Sequence, residues 1–324
     1  MTDFSSFIKA LEQGNTFLVG SHASPDGDAI GSSLAFMHAL RQLGKKCFIY
    51  NRDGVPDNLH FLPGSEQVLQ TVPHENEYDS IVVLDCARFN RVGGEFNTLP
   101  QTKLTFCVDH HHVDGTDAKH EIVLPDAAST GEILASLFEA MRIELTPEMA
   151  QCLYCTLVVD TGFFRHSNTT AQVMRLAARL LEAGASAVRV SEELDASHPE
   201  SRFHLLAASL SSLNINHQYH YATMEVTQEM LRKTCAHMEL AEEFSHYPRS
   251  VKGVQVSMLF REMEDGKIRV SLRSGEGIDI SNLAKHFNGG GHVHAAGCTF
   301  TCSLEEAKKQ LEEYLVKHLK DMEQ

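Results

Sequence analysis

The sequence predicts an α/β chain: a mainly parallel sheet with helices on both faces, followed by a smaller α+β domain. Three observations carry this. Through the first half, short β-branched or apolar runs alternate with helix-period patterns, as βαβ units do. Beyond residue 213 the pattern turns to longer strands, two of them flanking Glu264-Asp265-Gly266, a hairpin signal. The 324 residues, 43% hydrophobic and 22% charged, suffice for about two domains and are too apolar for a disordered chain.

The expected strands of the first half are TFLVGSH (16–22), KCFIYN (46–51), SIVVLDC (80–86) and KLTFCVDH (103–110). Between the first two, Ile30, Leu34, Met37 and Leu40 keep helical spacing and Gly44 supplies a stop. Further helices are expected at 130–142, 147–158 and 170–183, the last closed by Gly184. The first domain is therefore placed at 1–184. Residues 185–212 have weaker apolar periodicity and read as a helical linker, leaving 213–324 for the second domain. There QYHYATMEV, VQVSMLFREM and KIRVSLRS read as strands. The segment SLEEAKKQLEEYLVKHLK (303–320) opens with the Ser303-to-Glu306 capping-box spacing and continues as an amphipathic helix.

Lys and Arg number 28 against 43 Asp and Glu, a net charge of −15, the wrong sign for a protein that grips long nucleic acid through many phosphates. A small anionic substrate remains compatible, because bound divalent ions reverse the sign of a local acidic cluster. No run of about eighteen apolar residues occurs and the N-terminus has no signal-peptide pattern, so a cytoplasmic protein with no membrane partner is expected. The eight cysteines lie mostly in apolar runs and read as reduced. Cys152-x-x-Cys155 falls inside a helical pattern without a second such pair, which favours core packing over metal or redox chemistry.

Chemistry concentrates where an α/β sheet puts it, at strand ends and the loops after them. TFLVGSH runs into His22, Asp26 and Asp28; SIVVLDC delivers Asp85; KLTFCV delivers Asp109, His110, His111 and His112; and the apolar segment CLYCTLVV delivers Asp160. Taken singly, Asp26-Gly27-Asp28 suits a turn or helix cap and Asp85 a cap. Together, four acidic clusters at the ends of apolar runs are costly unless paired or metal-bound. Oxygen ligands with one or two imidazoles suit two hard divalent ions, Mn²⁺ or Mg²⁺, rather than tetrahedral zinc. Two such ions sharing a carboxylate suit phosphate-ester hydrolysis.

These residues resemble the DHH phosphoesterase superfamily, whose Asp-His-His stands here as Asp109-His110-His111. His22-Ala-Ser-Pro25-Asp26-Gly-Asp28-Ala-Ile-Gly31-Ser32 is similar to its first motif without departure, and Asp85 and Asp160 match its second and fourth. Gly289-Gly290-Gly291-His292-Val-His-Ala295-Ala296-Gly297 resembles the glycine-rich signature of the DHHA1 domain. Within the superfamily the motif set looks most like the bacterial nanoRNase and pAp phosphatase group, which degrades very short oligonucleotides and dephosphorylates 3′-phosphoadenosine 5′-phosphate (pAp). The resemblance implies that His22, Asp26 and Asp85 hold one metal and that Asp28, Asp85, His110 and Asp160 hold the other, Mn²⁺ foremost. It further implies that Asp109 orients an imidazole, that His111 faces the reacting phosphate, and that the chain is a homodimer.

Gly289, Gly290 and Gly291 would let backbone approach a phosphate, and His292 could donate to it. Arg269 and Arg273, four apart on one strand face, suit a phosphate clamp, with a cross-strand ion pair as the plain alternative. Ser32 is read as opening a helix whose N-terminal amides favour an anion. The expected enzyme is a metal-dependent phosphoesterase in which hydroxide held by the metal pair attacks phosphorus, with the metal pair and the phosphate-binding residues facing one another across a cleft. Its expected partners are short RNA or DNA oligonucleotides and pAp. A cyclic di-AMP or pApA phosphodiesterase, a RecJ-like single-strand exonuclease and a nucleotide sensor without turnover are the competing readings.

Overall fold

The computed structural model describes residues 4–73, 78–99, 104–196, 198–275 and 277–322. The chain divides into two compact units, 1–197 and 198–324.

The first unit runs α1 (Ser5–Leu11), β1 (Thr16–Ser21), α2 (Gly27–Gln42), β2 (Lys46–Tyr50), β3 (Val68–Leu69), β4 (Ser80–Leu84), α3 (Phe89–Val92), β5 (Leu104–Asp109), β6 (His120–Val123), α4 (Thr130–Ala140), α5 (Pro147–Asp160), α6 (Ala171–Glu182) and α7 (Ala187–Asp195). Its six strands form one sheet in the order β3-β2-β1-β4-β5-β6, every pair parallel. The four expected strands are all present. Lys103, read as the start of one of them, lies outside the described residues. The two-residue β3 and four-residue β6 went unread because neither carries enough apolar alternation to show.

β1 and β4 are buried from end to end but for Thr16. That follows from helices on both faces and explains why these strands read as continuous apolar runs rather than alternating ones. Because β2 and β4 flank β1 on opposite sides, the chain changes winding direction there. The crevice beyond the carboxyl ends of β1 and β4 is where such a sheet takes ligands.

α2 enters that crevice with Asp26 as N-cap, its carboxylate accepting from Asp28 N and Ala29 N at 3.0 Å each. It begins at Gly27, so Ser32 lies a full turn inside it rather than at its start. Its amide is therefore spent within the helix, and the hydroxyl donates to Asp28 Oδ1 at 3.0 Å. α2 packs along α5, and Gly31 is the point of closest approach: a Cβ there would stand 2.8 Å from Cys152 O. Cys152 and Cys155 are fully buried and unpaired in α5, as the core-packing reading requires.

The second unit runs α8 (Glu200–Ser211), β7 (Asn214–Asn216), β8 (Tyr221–Val226), α9 (Gln228–Thr234), α10 (His246–Arg249), β9 (Val256–Glu262), β10 (Ile268–Ser274), α11 (Ser281–His286), β11 (Gly290–His292), β12 (Ala295–Phe300) and α12 (Leu304–Met322). The segment read as a linker thus contributes α7 to the first unit and α8 to the second. The sheet order is β11-β12-β10-β9-β8-β7, antiparallel except for β8 with β9. That parallel pair needs a crossover, supplied by α9, a 3₁₀ stretch at Met238–Ser245 and α10. Asp265-Gly266 does turn the β9–β10 hairpin, with Gly266 at φ +77°.

One face of this sheet buries Met258, Phe260, Val270, Leu272, Cys298 and their neighbours with Leu283, Leu311 and Leu315 of α11 and α12. On the other face α8, α9 and the 3₁₀ stretch cover Met224, Val226 and Leu259 of β8 and β9. Alternation puts Arg269, Ser271 and Arg273 of β10 on that second face.

Gly31→Ala should destabilise the first unit by about 1–3 kcal/mol, the usual cost of forcing an extra methyl into a packed core. The expected result is a lower midpoint for the first unit in denaturant unfolding followed by circular dichroism.

Candidate metal centre

Five segments converge at the carboxyl edge of the first sheet. His22 follows β1, Asp26 and Asp28 open α2, Asp85 follows β4, Asp109 closes β5 with His110 and His111 behind it, and Asp160 is the last residue of α5. Asp160 therefore comes from a helix C-terminus and not from a strand end. The exposed carbonyls of that terminus add to the cost of its charge.

Three overlapping groups emerge. His22, Asp26 and Asp85 form one, Asp28, His110 and Asp160 a second, and Asp85, His110 and His111 a third that overlaps both, each with donor atoms within 4.8 Å of one another. Asp85 reaches the first two: Oδ2 lies 3.3 Å from His22 Nε2, and Oδ1 lies 3.6 Å from His110 Nε2. His110 Nε2 is also 3.2 Å from Asp160 Oδ2 and 3.8 Å from Asp28 Oδ2. All six residues expected to hold metal are thus brought together. His111 joins from the side, with Nδ1 3.5 Å from Asp85 Oδ1.

The imidazoles are oriented by what their other nitrogen does. His22 Nδ1 bonds Ala23 O at 2.9 Å and His110 Nδ1 bonds Ala127 O at 3.3 Å. Donation there leaves Nε2 as the nitrogen that faces the carboxylates in each ring, the one a metal would take on displacing any proton there. Asp109, fully buried, accepts from the amide and Nδ1 of His111 at 3.0 and 2.8 Å. The imidazole it orients is His111, which leaves Nε2 of that ring as the outward nitrogen.

Asp85 sits at φ +56°, an uncommon setting that Asp tolerates better than bulkier side chains. Its amide still bonds Val108 O at 2.9 Å, so the strand geometry is kept while the side chain is turned into the crevice. Asp28 is fully buried and caught between two helix starts. Besides Ser32 it accepts from Thr130 N at 2.7 Å and Gly131 N at 3.1 Å, the first amides of α4. Thr130 also donates its hydroxyl to Asp85 Oδ1 at 3.2 Å. One residue thus steadies a carboxylate of each ligand group.

Sequence reasoning missed Thr130, along with Asn51, whose side-chain amide donates to His22 O at 2.9 Å. A signal existed for the first: Ser129 caps α4 and Glu132 Oε2 returns to Ala128 N, the S-x-x-E pattern of a helix start. None existed for Asn51, whose contact joins two loops through tertiary packing.

Electrostatics ask for cations. Burial, and then the charges of Asp85, Asp160 and Asp26, push the Asp28 carboxyl well above the usual carboxylate range. Burial with Asp85 and Asp26 pushes Asp160 up to about 8. Burial alone would lower His22, but its bond to Asp85, the bond to Ala23 and the Asp85 and Asp26 charges raise it to about 9. Burial lowers His110, while the bond to Asp109 raises His111. Asp160 Oδ2 is a buried oxygen with no hydrogen bond among the described residues. An orphaned oxygen and crowded acids beside imidazole lone pairs fit hard divalent ions.

The residues expected to bind substrate lie in the second unit, in register. Arg273 pairs with Ala295, which pairs with His292; Ser271 pairs with Gly297, which pairs with Gly290; Arg269 pairs with Thr299. The glycine triplet is not a free loop, since Gly290 and Gly291 lie in β11. A Cβ on Gly289 would strike Gly297 O, and one on Gly291 would stand 2.5 Å from Ala295 O, so approach to β12 accounts for both. Only Gly290 of the three faces open space.

Comparison with known proteins agrees with this layout. Residues 16–157 match the DHH family, N-terminal domain, and residues 216–317 match the DHHA1 domain. The chain is 34% identical, over 90% of its length and 86% of the relative, to the bifunctional oligoribonuclease and PAP phosphatase NrnA of Thermus thermophilus. The chain belongs to the DHH family. Another relative of this DHH chain, the protein of the same name from Bacillus subtilis, is 25% identical over 95% of this chain and 96% of its own. Among solved structures, an exopolyphosphatase-related protein from Bacteroides fragilis superposes with a TM-score of 0.91 at 29% identity, covering 99% of this chain and 97% of that one. No helix among the described residues is long and apolar enough to cross a membrane.

Two outcomes are expected. Thr130→Val keeps the shape and the amide but removes the hydroxyl bond to Asp85, so calorimetric Mn²⁺ titration should show affinity weakened about tenfold, with Thr130→Ser near wild type. The metal-free protein should also lose thermal stability from pH 6 to pH 9. The unfolded chain has released the Asp160 proton throughout that range and the His22 proton above about 6.5, while the folded state holds them up to about 8 and about 9, and stability falls wherever the native state binds more protons. Saturating Mn²⁺ should flatten this loss.

Proposed function

We propose that this DHH chain is a dinuclear-metal phosphoesterase that hydrolyses short oligonucleotides and pAp. The observation that carries the reading is the buried Asp85 carboxylate lying between the two ligand groups. His22 and Asp26 complete one ion's ligands, Asp28, His110 and Asp160 the other's, with Mn²⁺ favoured and Mg²⁺ the alternative. Ions held there would supply Lewis acidity at the phosphoryl group and ready deprotonation of water.

The chain's own residues do the rest. Asp28 is pinned by the start of α4 and the Ser32 hydroxyl and Asp85 by Thr130, so the carboxylates need little reorganisation as charge develops. His111, locked by Asp109 at Nδ1, offers Nε2 to hold a proton beside the leaving oxygen. In the second unit, Arg273 and His292 stand in one cross-strand row with Ala295 between them, a spacing suited to gripping a terminal phosphate. Gly290 leaves that floor open, and Arg269 lies two rows along. The relatives named for oligoribonuclease and PAP phosphatase activity support this substrate class. The reading carries with it a cytoplasmic location and a homodimer, the homodimer resting on family resemblance.

The test is turnover after chelation and restoration of Mn²⁺ or Mg²⁺, with pAp, a 5′-phosphorylated RNA dinucleotide, a 24-mer and cyclic di-AMP. Hydrolysis of pAp and the dinucleotide, slow cleavage of the 24-mer, and loss of about three orders of magnitude or more in Asp85→Ala are expected, since one carboxylate serves both ions. Preference for cyclic di-AMP or for the 24-mer would replace the substrate assignment, and binding without turnover would replace the enzyme by a sensor.

A further inference from the structure

The second unit holds a cavity that the phosphate-gripping residues do not account for. It has a volume of about 1010 Å³ and is lined by Arg232 and Leu231 of α9, Met238 after it, Met263 of the β9–β10 turn, and Arg269 and Thr299 of the sheet. A smaller one of about 250 Å³ lies against Ser271, Gly289 and Gly297, and it too is lined by Arg269 and Thr299. The two are therefore neighbours along one strip of sheet face, sharing a wall.

That strip has an order. From the Arg273 row it passes the small residues Ser271, Gly297 and Gly290, reaches Arg269 and Thr299, and opens into the larger cavity. Arg273 to Arg269 is four residues of strand, roughly 13 Å at about 3.3 Å each, too far for a single phosphate to span. Arg269 also faces Arg261 directly across the β9–β10 pair. Arg261 turns to Ser271, donating to its Oγ at 2.9 Å, and of the two arginines Arg269 is the one that lines the larger cavity. Neither Arg232 nor Arg269 makes a side-chain hydrogen bond or ion pair among the described residues, whereas Lys267 nearby donates to Asp265 at 2.6 Å.

Beyond the arginines the lining changes character. Met238, Met263 and Leu231 offer an apolar, polarisable wall of the kind that accepts a flat aromatic ring, while Glu239 and Glu264 can accept from exocyclic amino groups. Cations at the mouth, an apolar wall and a few acceptors are what a nucleotide with its phosphate needs.

We propose that this cavity takes the distal nucleotide of a short single-stranded oligonucleotide, with Arg269 and Arg232 meeting its phosphate and Met238 and Met263 lying against its base. The proposal rests on the phosphoesterase reading and extends it. The strip becomes a track on which a substrate of several nucleotides gains contacts that pAp is too short to make.

The experiment compares wild type with Arg232→Glu and Met238→Asp, in two arms. In chelator, fluorescence anisotropy measures binding of a labelled RNA pentanucleotide and of a labelled dinucleotide. With metal restored, KM is measured for the pentanucleotide and for pAp. Expected is pentanucleotide affinity weakened about tenfold in either variant, the loss of one charged contact, with dinucleotide affinity and pAp turnover unchanged. Unaltered pentanucleotide binding would overturn the proposal, as would equal losses for pentanucleotide and dinucleotide. AMP binding that Arg232→Glu abolishes while pentanucleotide binding survives would also overturn it, in favour of a free mononucleotide site. If no substrate turns over in wild type, the phosphoesterase reading fails alone, because the chelated arm still reports on the cavity.

Discussion

Asp28, Asp85 and Asp160 crowd one edge of a parallel sheet, where burial and the neighbouring charges push Asp28 and Asp160 toward their neutral forms unless cations answer them. Much of the first unit is built around that constraint. The start of α4 points at Asp28, so two of its backbone amides carry part of that charge, and the Ser32 hydroxyl of α2 adds a third donor. Two imidazoles are turned by carbonyls so that their free nitrogens face the acids. Even the helix-to-helix approach at Gly31 matters here, because it seats α2 against α5 and so sets Asp28 relative to Asp160.

Most of the acids and imidazoles were legible because each follows an apolar run, and a charge at such a place needs a reason. The supporting residues were less so. Thr130 acts through its amide as much as its hydroxyl, and an amide leaves no mark on a sequence; Asn51 acts between loops that only the folded sheet brings together. Asp160 was legible as an acid and the helix before it as a helix, ending two residues short at 158; what the sequence did not show is that the acid itself closes that helix.

In the second unit β8, β9, β10 and the Asp-Gly turn were legible from alternation and turn chemistry, whereas the short β7 and β11 and the glycine-rich β12 were not. The parallel pairing of β8 with β9 was not, because its crossover runs through short helices with no clear period. The glycine triplet was read as a cradle for phosphate. Two of its members prove to be glycine because β12 passes too close for a side chain, which leaves Gly290 as the position where an incoming group meets bare backbone.

The bond from Thr130 N to Asp28 Oδ2 closes a loop of 102 residues, and the centre as a whole draws on positions from 22 to 160. Such long-range closure is entropically expensive and comes late, after the parallel strands have found their neighbours. During synthesis the centre cannot be completed before Asp160 has cleared the ribosome. Divalent ions would on this account not template the domain as zinc templates a finger; they would be captured by a sheet already in register, which the nascent chain reaches without them.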